Sequence, residues 1–187
     1  MLGRWTAKVA LRAFWGRAGR GSPDFATLEI RSAPDGAPEV FLAGRPAPVA
    51  LALSHSGGTG FCVLADSRME LGCDLETIRP RDRVFVDDYF CEEEKELVAG
   101  ASASDIAWLV TLIWSAKESA LKCLREGLRR DTRSVLVNLE ERNEPGWNPL
   151  TVRCRASSRL FYGWWMMDGF HVRTIAAGLP SDAPVEL

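Results

Sequence analysis

Residues 69–76 read Met69-Glu70-Leu71-Gly72-Cys73-Asp74-Leu75-Glu76, an alternation of period two. On a strand, Leu71, Cys73 and Leu75 fall on one face and Gly72, Asp74 and Glu76 on the other. The first face suits a core; the second carries two carboxylates side by side. Like charges this close repel. Solvent relieves the repulsion if the face is exposed. A hard divalent cation also relieves it, since Mg²⁺ prefers oxygen ligands and commonly takes one or two carboxylates together with substrate phosphates. The residues alone leave both readings open.

Toward the C-terminus, 85–99 contains Cys91-Glu92-Glu93-Glu94-Lys95-Glu96-Leu97-Val98 and reads as one helix. After Gly100 to Ser104 a longer helical pattern runs from about Asp105 to Arg125, with Ser102 or Ser104 as its expected cap. Inside it, Trp114-Ser115-Ala116-Lys117-Glu118-Ser119-Ala120-Leu121-Lys122 sets Glu118 and Lys122 four apart, on nearly the same side. Such a pair is ordinarily a surface support. Here Leu109, Val110, Leu112, Ile113, Trp114 and Leu121 make the helix apolar on most sides, so it is expected to be buried and its charges to need partners. The segments 134–139, 150–155, 160–167 and 171–176 read as short strands joined by Pro, Gly and Asn turns, a meander packed on that helix. Trp147, Trp164 and Trp165 are assigned to the core or to an interface between lobes.

Toward the N-terminus, Ser54-His55-Ser56-Gly57-Gly58 follows the apolar run 49–53 and precedes a strand at 61–65. It reads as a small, polar, flexible loop whose backbone N–H groups can approach an anion, although a lone histidine at a strand end is commonly just a surface residue. Strands at 27–31 and 39–42 flank Pro34-Asp35-Gly36 as a hairpin. In the first 21 residues basic side chains interrupt every apolar stretch, which leaves neither a secretory h-region nor a spanning segment. An amphipathic helix with Trp5, Val9 and Arg12 to Ala13 on its stripe fits there, with an amphipathic transit peptide as the competing reading.

The length of 187 residues suits one domain or two small fused lobes, and 47% hydrophobic residues exclude global disorder. With 23 Lys plus Arg against 25 Asp plus Glu, the net charge of -2 provides no field for nucleic acid or an anionic membrane, so any phosphate recognition has to be local. The five cysteines lack CxxC spacing, which argues against a disulfide framework or zinc site and for a reducing cytoplasm. The order of elements gives an α+β class.

Taken in order, Leu53-Ser54-His55-Ser56-Gly57-Gly58, then Gly72-Cys73-Asp74-Leu75-Glu76, then Trp114 to Lys122 resemble the three signatures of the Sfp-type 4′-phosphopantetheinyl transferases. The resemblance spans about Val49 to Val137. It implies a phosphopantetheinyl transferase-like fold of two pseudo-symmetric lobes, each with a small antiparallel sheet and a long helix. The divisions would fall at about 1–66 and 67–187, with coenzyme A in the cleft between them. It also implies transfer of the phosphopantetheine arm of coenzyme A to a serine of an acyl or peptidyl carrier protein, the holo-carrier synthase reaction, with release of adenosine 3′,5′-bisphosphate. Asp74, Glu76 and Glu118 would hold Mg²⁺, with Glu118 the candidate base and Lys122 neutralising the pyrophosphate. The Ser54-His55-Ser56 segment would receive the 3′-phosphate. Lys117 belongs to the signature without an assigned role.

The sequence departs from that pattern in two places. Only 54 residues precede His55, an abbreviated first lobe, and Gly36-Ala37-Pro38 lacks the cation usual before proline in this family. Arg45 in Gly44-Arg45-Pro46 is the expected substitute, and Lys8 and Arg12 are the other candidates for the adenosine bisphosphate end. The tract Arg125, Arg129, Arg130 and Arg133 is either a steering surface for an acidic carrier or a solvated turn. A monomer is expected, with a dimer as the alternative. The competing functional readings are a degenerate relative that binds coenzyme A or a carrier without catalysis, and a metal-dependent phosphodiesterase.

Overall fold

The computed structural model describes residues 2–126, 130–140 and 146–187. Helix α1 (Leu2–Arg17) leads into strands β1 (Leu28–Ser32), β2 (Pro38–Leu42) and the two-residue β3 (Arg45–Pro46), which form an antiparallel sheet in that order. A hairpin follows, β4 (Val49–Ser56) with β5 (Thr59–Asp66). Next come β6 (Leu71–Thr77), α2 (Arg83–Tyr89), α3 (Glu92–Ala99), α4 (Ile106–Cys123) and strands β7 (Val135–Leu139), β8 (Asn148–Cys154), β9 (Arg159–Asp168) and β10 (His171–Ala177). Strands β7 to β10 are the expected meander, and β6 joins them antiparallel beside β10, giving the order β6-β10-β9-β8-β7. The α+β class holds.

The hairpin β4-β5 is apolar on both faces, and the two faces serve different neighbours. Val49 and Leu51, with Leu53, Cys62 and Leu64 partly buried beside them, pack on Ala7, Leu11 and Trp15 of α1 and on Leu28, Ile30 and Val40. Ala52, with Phe61 and Val63, packs instead on Cys73 of β6 and Ile175 of β10. Alternation along one strand therefore joins the first 66 residues to the rest. Trp147 stacks on Phe61 across this junction, and Trp165 is buried against Trp108 in a third, larger cluster, as expected of packing aromatics. That larger cluster surrounds α4, whose residues from Leu109 to Cys123 are nearly all buried.

Several sequence expectations are corrected. In α1 the buried stripe is Ala7, Leu11 and Trp15, while Trp5 and Val9 are exposed. Both stripes have helical spacing; the one chosen fits β4-β5, where Thr6 already crowds Gly60, and Trp5 stacks on Phe25 instead. The helix expected over 85–99 is two, because Phe90 turns extended and carries its ring into the core. Neither Ser102 nor Ser104 caps α4. Asp105 stands at the N-cap position, and its carboxylate accepts from the Ser102 hydroxyl and the Trp108 indole. Ser54 to Ser56 are no loop. They continue β4, paired with Thr59 to Phe61, and the turn is Gly57-Gly58 alone. Both glycines have positive φ (55° and 81°), as the type I′ hairpin turn requires at its two central positions.

Candidate active site

Strand β6 lays its Gly72, Asp74, Glu76 face against α4. Gly72 makes this possible: a Cβ there would lie 1.9 Å from the Ser119 carbonyl oxygen and 2.7 Å from the Cys123 nitrogen, so only glycine admits so close an approach. On α4, Ser115, Glu118, Ser119 and Lys122 share one flank, within an arc of about 100°. The tight contact brings that flank to the acids.

Asp74 is buried, 4% exposed, and both its oxygens are engaged. Oδ1 accepts from Lys122 Nζ at 2.7 Å and from the Ser54 hydroxyl at 2.9 Å; Oδ2 accepts from the Ser115 hydroxyl at 2.9 Å. Lys122 also donates to the Cys73 carbonyl at 3.1 Å. Behind Asp74 a buried hydroxyl ladder continues, Ser115 to Thr174 at 2.9 Å and Thr174 to Ser119 at 2.7 Å. Sequence reasoning assigned nothing to Ser115, Ser119 or Thr174. The i, i+4 serines flanking Lys117 and Glu118 were the available signal.

Glu76 faces Arg81 at 3.4 Å and the Trp114 indole. Burial, then the Asp74 charge, push its carboxyl above the usual range, with Arg81 opposing. Glu118 is raised as well, first by burial and then by Asp74 and Glu76, against the pull of Lys122. Its Oε1 is buried and has no hydrogen-bond partner. Lys122 is raised, because the attraction of Asp74 outweighs the cost of its own burial. Glu76 and Glu118 therefore each feel the charge of Asp74, and Glu118 that of Glu76 as well.

Among the described residues no three His, Cys, Asp or Glu side chains are arranged to hold a metal ion. The donor set nonetheless fits Mg²⁺ in kind: three carboxylates, two with pKa raised first by burial and then by neighbouring acids, and one orphaned buried oxygen. Asp74 would have to trade one of its present donors for the ion.

The structure gathers Asp74, Glu76, Glu118, Lys122, Ser54 and Ser115, and leaves other expected residues elsewhere. Ser54 and His55 point to opposite faces of β4, so Ser54 reaches Asp74 while His55 stands exposed. Ser56 shares the Ser54 face and meets Thr77 at 3.1 Å. Beyond it lies His171, whose Nε2 is 3.4 Å from where a Gly57 Cβ would stand; sequence reasoning passed this second histidine over. Lys8 donates to the Phe25 carbonyl at 2.8 Å and Arg12 lies over the Phe25 ring. Both cations are committed to that turn. Arg45 is exposed on β3. Of the basic tract, Arg125 pairs with Asp35, Arg130 with Glu126 and Arg133 with Asp131, so each of these three charges has an acid beside it; Arg129 lies outside the described residues. A cleft of about 810 Å³ opens beside the acids rather than over them, walled by Asp35, Glu39, Ala50, Ala52, Glu70 and Arg125, with Lys122 at the junction of the two. Burial holds the Cys62 and Cys123 thiols up at about 12 and Cys91 at about 11, so none supplies a thiolate near neutrality. Among the described residues no helix is long and apolar enough to cross a membrane.

A carboxylate cluster closed by a lysine thus lies at the seam of an α+β fold. A family model described as the 4′-phosphopantetheinyl transferase superfamily matches residues 70–165, just over half of the chain, and the chain belongs to that superfamily. The matched stretch contains Asp74, Glu76, Glu118 and Lys122 but not Ser54 to Ser56, Lys8, Arg12 or Arg45. No curated protein matches the chain.

Proposed function

We propose that this chain transfers the 4′-phosphopantetheine arm of coenzyme A to a serine of an acyl or peptidyl carrier protein, with Mg²⁺ held by Asp74, Glu76 and Glu118. The observation carrying the reading is Glu118: a half-buried carboxylate with one buried, unpartnered oxygen, its pKa raised first by burial and then by two neighbouring acids, one helical turn from a lysine. A purely structural carboxylate would have its oxygens satisfied, as those of Glu94 are by Lys117 and the Cys91 and Val137 N–H groups.

In the reaction the carrier serine oxygen forms a bond to the phosphorus bearing the pantetheine arm. The P–O bond to the adenosine-bearing phosphate breaks, and the electron pair leaves with adenosine 3′,5′-bisphosphate. Glu118 accepts the serine proton, directly or through a water, by virtue of its position on α4. Lys122, released from Asp74, neutralises the pyrophosphate oxygens. Ser54 and Ser115 hold Asp74 in place while it exchanges partners. A bound divalent ion would supply Lewis-acid withdrawal of charge from the phosphates. The Ser56–Thr77 corner by the glycine turn, with exposed His55 on the other face, is the place proposed for the 3′-phosphate.

The test is transfer of a labelled arm from coenzyme A to an apo carrier protein in the presence of Mg²⁺. Metal-dependent labelling of the carrier serine is expected. Retained coenzyme A binding with no labelling of any carrier tried would replace this reading with that of a non-catalytic relative.

A further inference from the structure

Lys117 stands next to Glu118 in sequence and on the other side of α4 in space. It is the one cation among the described residues whose side chain is 0% exposed. Its ammonium has three acceptors: Glu94 Oε2 at 2.8 Å, the Thr132 carbonyl at 2.8 Å and the Val135 carbonyl. All three of its protons are thus used. Glu94, 1% exposed, is equally saturated, because Oε2 also accepts from the Cys91 backbone N–H at 3.0 Å and Oε1 from the Val137 N–H at 3.0 Å. The pair therefore ties α4 to the N-terminus of α3, to the single turn Thr132–Ser134 and to β7. Burial pulls the Lys117 pKa down, and Glu94 opposes it only in part.

A buried ion pair is a poor source of net stability, because the loss of hydration offsets most of the attraction. Directional bonds are what it supplies. On a helix, residues 115, 118, 119 and 122 project within an arc of about 100°, and residue 117 projects from the far side. Whatever fixes Lys117 fixes the rotation of that arc. Glu118 has no hydrogen bond of its own at Oε1 to aim it, so the setting of the helix is what places it at Asp74 and Glu76.

We infer that Lys117 is a positioning residue: the Glu94–Lys117 pair sets the rotation of α4 and so holds Glu118 and Lys122 at the β6 acids. The kinetic half of this inference rests on the transfer reading above; the structural half does not.

Glu94→Asp keeps both charges and shortens one arm by a methylene. In the arm-transfer assay with coenzyme A, Mg²⁺ and an apo acyl carrier protein, kcat is expected to fall at least tenfold, with KM for coenzyme A within twofold of the parent. In amide NMR of the unliganded chain, the same variant should shift resonances at 115–122 and 72–76. The double variant Glu94→Leu with Lys117→Met replaces the pair by apolar volume. It is expected to fold, with a thermal midpoint above that of Lys117→Met alone, and kcat should stay at least tenfold down. Transfer per folded molecule within twofold of the parent in Glu94→Asp, or shifts confined to 91–95 and 132–137, would overturn the inference. Should the double variant not fold, Glu94→Asp decides by itself. Should the parent transfer no arm to any carrier, the proposed reaction falls while the shift pattern still decides what the pair does.

Discussion

The two flanks of α4 each set a lysine against a carboxylate, and they differ in how completely the atoms around them are satisfied. On the α3 side every donor of Lys117 and both oxygens of Glu94 are taken, and nothing is exposed. On the β6 side Lys122 is a third exposed, Glu118 keeps an orphaned oxygen, and Glu76 and Glu118 are held in raised, uncomfortable ionisation. A closed network rigidifies and exchanges nothing. An open one can accept a ligand, and its discomfort measures what the ligand would relieve.

The largest effect expected separates function from stability on the open flank. Glu118→Gln should lower the arm-transfer rate by roughly 10²-fold or more, the usual contribution of a positioned general base. The same change should raise the thermal midpoint near neutral pH. The sign follows from the raised pKa: between the ordinary glutamate value of 4.5 and the higher folded value, the folded chain keeps a proton that the unfolded chain has lost. That contribution is fully present below the ordinary value and lost as pH rises through the folded one, so charged Glu118 burdens the fold above it. The gain from glutamine should accordingly shrink toward zero in unfolding curves taken below the ordinary value. A gain that grew with acidity would contradict the raised pKa.

On the closed flank the balance reverses. Glu94→Ala strands Lys117 in the core and should cost about 3–5 kcal/mol in urea unfolding, the range for breaking a buried pair by removing one partner. A loss below about 1 kcal/mol would mean that the pair is not buried as described. Between the flanks, Gly72→Ala drives a methyl into the α4 backbone and is expected to cost about 1–3 kcal/mol by overpacking, together with activity, because β6 must retreat. Smallest of all, Arg125→Ala removes the exposed contact with Asp35, and calorimetry should detect no shift in thermal midpoint.

Much of this contrast was legible in the residues. Alternation fixed β6 and its two acids, and the apolar density around Trp114 to Lys122 foretold a buried helix whose charges need partners. What sequence could not supply was partner identity across distance. Glu94 was one of three consecutive acids in a stretch read as a helix, and nothing local distinguishes it from Glu92 or Glu93; only the docking of α3 on α4 selects it. Likewise the choice between two possible stripes on α1 was made by the surface of β4-β5. Gly57-Gly58 was read as the end of a loop because flexibility and a tight positive-φ turn use the same residue, and so Ser54 and His55 were put in one place although strand geometry sends them apart.

That parting of neighbours makes β4 a shared wall. Its odd-numbered side chains belong to the α1 layer and its even-numbered ones to β6, so deleting a single residue before Ser54 would exchange His55 for serine opposite Asp74 and send Leu51 and Leu53 into the wrong core. Random mutagenesis of this gene should therefore find substitutions tolerated along the strand far more readily than any in-frame change of its length.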